Sequence, residues 1–180
     1  MAGSATVVGQ ALRDARTRTG LTQADVGAVG CLDHATISDV ERGRRRLPRD
    51  VAPRVTRALD DGRVYMAVAE EATGGASSPW LDGSAVERHR AVVWAKAMEE
   101  LEEALDAMRK VMPMVLKPPS ATRPEEREQI RAAMVEGIEA KTAVRHKLTI
   151  LCRDYGFSYQ DLFSEHRREL AAKGYLATRR

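Results

Sequence analysis

Residues 20–46, GLTQADVGAVGCLDHATISDVERGRRR, divide into two short helical stretches around a tight turn, closed by a run of arginines. Gly20 stops what precedes it and Leu21 enters a core. Thr22 stands as an N-cap with Asp25 in the first turn, where a carboxylate meets the positive end of the helix dipole. Val26 and Val29 follow at i and i+3, and Gly30 ends the stretch. Asp33 caps the next one, with Ile37 and Val40 inward, His34, Ala35, Ser38 and Asp39 expected outward, and Gly43 as its stop. Arg42, Arg44, Arg45, Arg46 and Arg49 crowd the exit. A short rod, apolar beneath and polar above with cationic flanks, is what a major groove about 12 Å wide admits.

The surrounding sequence extends this unit into a small all-α domain. A preceding helix over 7–19 carries Val8, Leu12 and Ala15 on one face. Pro48 and Asp50 open a fourth helix with Val51, Val55 and Leu59, in which Pro53 falls early enough to lose no intrahelical bond. A fifth helix is expected over 62–73. Residues 74–83, GGASSPWLDG, read as a linker whose Trp80 and Leu81 dock on a neighbour.

The remainder, 84–180, predicts a helical hairpin or bundle. Ser84 with Glu87 has the spacing of a capping box opening a long helix, and Thr122 with Glu125 repeats it. Along the first long helix Ala91, Trp94, Met98, Leu101, Leu105, Met108, Met112 and Val115 recur every three or four residues, widened by Ala97, Ala104 and Val111. Pro113 should end or kink it near Met112. The second long helix is expected to reach Tyr155, with Ile130, Met134, Ile138, Val144, Leu148 and Leu151 inward. Ser158 with Asp161 caps a last helix, stapled by Phe157 against Leu162 and stopped at Gly174.

Composition bounds the functional classes. Of 180 residues 43% are hydrophobic and only 4% aromatic, which favours a helical protein outside membranes. The opening MAGSATVVG lacks a charged segment leading into an apolar one, and no apolar run has spanning length, so the cytoplasm is the expected location. Cys31 and Cys152 are expected as thiols. The four histidines, at 34, 89, 146 and 166, have no metal-ligand spacing, and neither a phosphate-cradling glycine loop nor a catalytic constellation is evident. No cofactor, metal or enzymatic activity is expected. The net charge is +3, and local density of arginine matters more than that total because screening acts within roughly 10 Å.

LTQADV, HATISDVERGRRR and the following VTRALDD resemble the lambda-repressor-like, or XRE, helix-turn-helix family over residues 7–60. The resemblance implies a five-helix DNA-binding domain, residues 1–73, reading duplex DNA with its third helix. It puts Asp33, His34, Ala35, Ser38 and Asp39 at base-reading positions. Gln23, Thr36 and Arg42 fall beside the phosphate backbone, where the following Arg44, Arg45 and Arg46 can join them. It also implies a scaffold ion pair between Arg16 and Glu41. The chain departs from the pattern at Gly27, where alanine is usual, and at Gly30-Cys31 in place of an apolar residue and the turn glycine.

Two half-sites on DNA call for a two-fold protein, so the stripe of Trp94, Met98, Leu101, Leu105 and Met108 is a candidate homodimer or partner interface. The same stripe read as internal packing between the long helices is equally compatible with its periodicity. A transcriptional repressor-like regulator is the expected function. The alternative is an interaction protein, such as an antitoxin or an inhibitor of another regulator, whose C-terminal helices bind a protein.

Overall fold

The structure is a computed structural model and describes residues 7–177; the opening MAGSAT lies outside them. It is all-α, with helices α1 (Val7–Arg18), α2 (Gln23–Gly30), α3 (His34–Glu41), α4 (Ala52–Leu59), α5 (Gly62–Thr73), α6 (Arg90–Val115), α7 (Pro124–Tyr155) and α8 (Tyr159–Ala172). A 3-10 turn, Pro119–Ala121, interrupts the loop between α6 and α7.

Two compact units result: Met1–Pro79 together with Leu151–Arg180, and Trp80–Ile150. In the first, α1 to α5 close on one apolar core containing Val8, Leu12, Ile37, Val40, Val55 and Leu59. The starts of these helices follow local chemistry. Thr22 and Asp25 form a reciprocal capping box at α2, Asp33 accepts the Thr36 N–H at α3, and Asp61 accepts from Arg63 and Val64 at α5. Val26 is buried as expected, whereas Val29 remains exposed.

The last helix falls in the first unit rather than with residues 84–150. The Gln160 N–H donates to Asp60 Oδ1 at 2.9 Å, and the Tyr65 hydroxyl donates to Gln160 Oε1 at 3.0 Å. Tyr65 and Tyr159 stack with ring centroids 5.4 Å apart. Ser158 caps α8 through the Asp161 N–H. Phe157 stacks on Tyr155.

In the second unit α6 and the 124–150 part of α7 form an antiparallel hairpin: Lys147 sits over the Trp94 ring at 4.5 Å, and Lys117 pairs with Glu126 at 2.6 Å at the opposite end. Three expectations are corrected here. The Ser84–Glu87 capping box is unused, and α6 starts at Arg90 with His89 as its cap. Residues 80–89 are held irregular because Trp80 packs on His146, centroids 4.3 Å apart, with the Arg88 guanidinium 6.0 Å from the Trp80 ring centroid. Pro113 does not end α6, which runs two residues further. At α7 the helix opens on Pro124, and Glu126, not Glu125, accepts the Arg123 N–H.

Burial in the hairpin falls beside the stripe of large residues. Its buried side chains on α6 are Val93, Ala97, Ala104 and Val111, and those along α7 include Ala133 and Ala140. Trp94, Met98, Leu101, Leu105, Met108 and Met112 are each 43–55% exposed, so the large-residue stripe is not the internal seam. On α7, Met134 and Ile138 are exposed as well, against the inward placement expected of them.

Candidate nucleic-acid interface

The α2–turn–α3 unit is positioned from beneath by Ile37 and Val40, both fully buried, and from one side by Glu41. The Glu41 carboxylate, itself buried, accepts from Arg16 Nε at 2.6 Å and from a second Arg16 nitrogen at 3.1 Å. A third bond comes from Gln23 Nε2 at 2.8 Å. Arg16 also donates to the Leu21 carbonyl at 3.0 Å, and its guanidinium is raised above its ordinary pKa by the Glu41 hydrogen bond. Helices α1, α2 and α3 are thereby locked through one carboxylate, and the scaffold pair implied by the family resemblance is present.

The turn itself explains two departures from the family pattern. Cys31 takes the left-handed conformation, φ 55°, that a glycine usually supplies, and its N–H with that of Leu32 closes on the end of α2. The turn then folds back so tightly that a Cβ on Gly27 would lie 2.6 Å from the Leu32 carbonyl oxygen. At the end of α2, Arg54 donates to the Gly30 carbonyl at 3.0 Å. That contact had no signal in the sequence, because it joins residues 24 apart without a local motif.

On the outward side of α3, Asp33, His34 and Ala35 are exposed. Asp33 is engaged as the cap, accepting the Thr36 N–H at 2.6 Å, and hydrogen bonds from Thr36 hold its carboxyl below the usual carboxylate range. Ser38, expected on the outward side, is buried at 9% exposure. Asp39 is half-buried. The structure therefore brings Asp33, His34 and Ala35 together on the open face and withdraws Ser38 from it.

Of the residues placed beside a phosphate backbone, Gln23 is half-buried with its amide donating to Glu41. Thr36 is half-buried and accepts from Arg45 at 3.4 Å. Arg42 caps the end of α3 with its backbone N–H, leaving its side chain exposed. Arg44 lies 3.7 Å from Asp39 and Arg46 lies 3.7 Å from Glu71, both with largely exposed guanidinium groups. Pairs this long at a solvated surface are weak and are readily exchanged for a phosphate. Arg44 also offsets the negative charge of Asp39 at this surface. The chemistry available is thus hydrogen bonding from a short helix face plus several mobile cations, with salt-sensitive anion attraction.

Among the described residues no cluster of histidine, cysteine and carboxylate side chains could hold a metal ion, and no helix is long and apolar enough to cross a membrane. Residues 7–64 match a family model described as a helix-turn-helix domain. No curated protein and no solved structure gives a significant match to the chain.

Proposed function

We propose that the chain, whose residues 7–64 match a helix-turn-helix domain, is a cytoplasmic, sequence-specific DNA-binding regulator of transcription that reads an operator as a homodimer. In this reading residues 1–73 are the reading head and 84–180 the associating part. His34 and Ala35 address base edges, with Asp39 at their margin, while Arg42, Arg44, Arg45 and Arg46 grip the flanking phosphates. The observation that carries it is the open face of α3 beside four exposed guanidinium groups. The second reading, a helical interaction protein with a different protein on its hairpin, is favoured by the exposed apolar stripe of α6.

Selection from random duplexes at two salt concentrations tests the proposal. An enriched site with a steep salt slope is expected. Arg44→Ala with Arg45→Ala should weaken all sequences alike, whereas His34→Ala should change preference at particular base pairs. Retention of no duplex at low salt overturns DNA reading. Identical behaviour of the two variants overturns the division between bases and phosphates.

A further inference from the structure

We propose that the hairpin self-associates with α6 antiparallel to α6 of a second copy, in one register centred between Leu105 and Met108. This rests on the homodimer reading above and adds its geometry. The surface comes first. Met98, Leu101, Leu105, Met108, Met112 and Val115 follow a strict alternation of three and four residues, and each is about half exposed. Met98, Leu105 and Met112 each follow the buried Ala97, Ala104 and Val111 by one residue, and Leu101, Met108 and Val115 follow them by four, so α6 carries two adjacent seams, one used internally and one open.

Helix α7 extends the open seam. Met134 follows the buried Ala133 by one residue, as Met98 follows Ala97 and Leu105 follows Ala104. In antiparallel helices the same one-residue step turns both sets toward one face of the pair. With Ile138 this gives eight large side chains at roughly 100 Å² of open surface apiece, or about 800 Å² per chain, the share each partner contributes to a standard specific interface.

Charge decides the occupant and its direction. Residues 99–106 carry Glu99, Glu100, Glu102, Glu103 and Asp106, whereas 107–114 carry Arg109 and Lys110 and no acid. A parallel second copy would stack acid on acid. An antiparallel one lays the acidic half of each α6 along the basic half of the other. In a heptad frame with Met98, Leu105 and Met112 at one core position and Leu101, Met108 and Val115 at the other, the residues flanking the seam on its open side are Glu102 and Arg109. Setting Leu105 against Met108, Leu101 against Met112 and Met98 against Val115 of the second copy brings Glu102 opposite Arg109, twice by symmetry. A slip of one heptad in either direction sets Glu102 against Glu102 or Arg109 against Arg109 instead. In the single chain Arg109 already reaches back to Asp106 at 3.2 Å through an exposed pair, so it can bridge both acids.

Two measurements on the full chain test this, with Cys31→Ser and Cys152→Ala as background for a spin label at Arg90→Cys. With a rise of 1.5 Å per residue, the antiparallel register separates the two labels by about 50 Å, and a parallel pair holds them within about 25 Å. Without any label, Glu102→Arg should raise the dimer dissociation constant by about tenfold, and adding Arg109→Glu should return it to within about threefold of wild type. A chain monomeric by light scattering at every concentration overturns the homodimer reading and this proposal together, and transfers the stripe to a different partner. A dimer with closely spaced labels, or one in which the double charge exchange fails to recover affinity, overturns the antiparallel register and leaves the dimer standing.

Discussion

The helix-turn-helix core and the α6–α7 hairpin use apolar residues in opposite ways. The first hides its large side chains: Leu12, Ile37, Val40 and Val55 are at 0% exposure around a single centre. The hairpin buries mostly small ones, Ala97, Ala104, Ala133 and Ala140 with Val93 and Val111, and leaves several methionines and leucines outside. Burying an alanine removes far less apolar surface than burying a leucine, which is worth about 1.5–3 kcal/mol when taken fully from water. The first unit is therefore stabilised from within, while the hairpin leaves much of its large-residue apolar surface open to solvent.

Paired truncations would break this contrast if it is wrong. Leu12→Ala empties a filled site in α1 and should cost about 2–5 kcal/mol of unfolding free energy, with duplex binding lost alongside. Leu101→Ala removes a half-exposed side chain and should cost the isolated chain within about 0.5–1 kcal/mol. Its loss should appear in self-association instead. Urea unfolding at two protein concentrations separates these. Equal costs for both variants at the lower concentration would mean that the stripe is internal core after all.

What could be read from the sequence was what depends on near neighbours. Thr22, Asp33 and Ser158 cap their helices as their spacing indicates, because the bonds close within three residues. The docking of α8 was hidden, since Gln160 and Asp60 meet across 100 residues with no pattern joining them. The unused capping box at Ser84 shows long-range packing overriding a sound local signal: Trp80 on His146 holds the segment that would have coiled. The two seams of α6 share one periodicity, so the pattern could not tell which faces inward. Burial decides it, falling on Val93, Ala97, Ala104 and Val111. At the candidate interface the arginines and the capped start of α3 were legible. The inward turn of Ser38 was not, because a helix of eight residues gives too few turns to fix the edge of its buried face.

A finer comparison lies inside the turn, where two residues have exchanged their usual tasks. Gly27→Ala, ordinarily favourable within a helix, should destabilise by about 1–3 kcal/mol, because the added carbon meets the Leu32 carbonyl at 2.6 Å and backbone must move. Cys31→Gly should do the reverse and stabilise by about 1 kcal/mol, since a left-handed φ of 55° strains any residue bearing a Cβ. Thermal unfolding of the two single variants checks both signs. Matching signs would mean that the turn is not held as tightly as its geometry indicates.

The smallest effect sharpens the comparison from the hairpin side. There the loop end is fastened by charge: Glu126 accepts from Lys117 at 2.6 Å and from Arg123 through backbone and guanidinium. The Lys117 contact, with Arg123 second, lowers its pKa from 4.5 to about 2. A depressed folded-state value means that the stabilisation is fully present above the unfolded value and disappears as pH falls through the folded one. Wild type should therefore exceed Glu126→Gln in melting temperature by a constant margin above about pH 5, and that margin should shrink between pH 4.5 and 2. The caps Asp25 and Asp33 are also held low by hydrogen bonds, from Thr22 and Thr36, so the first unit weakens in acid too. Subtracting the Glu126→Gln curve cancels that shared part. A margin independent of pH down to 2 would show that Glu126 acts through its shape and not through its charge.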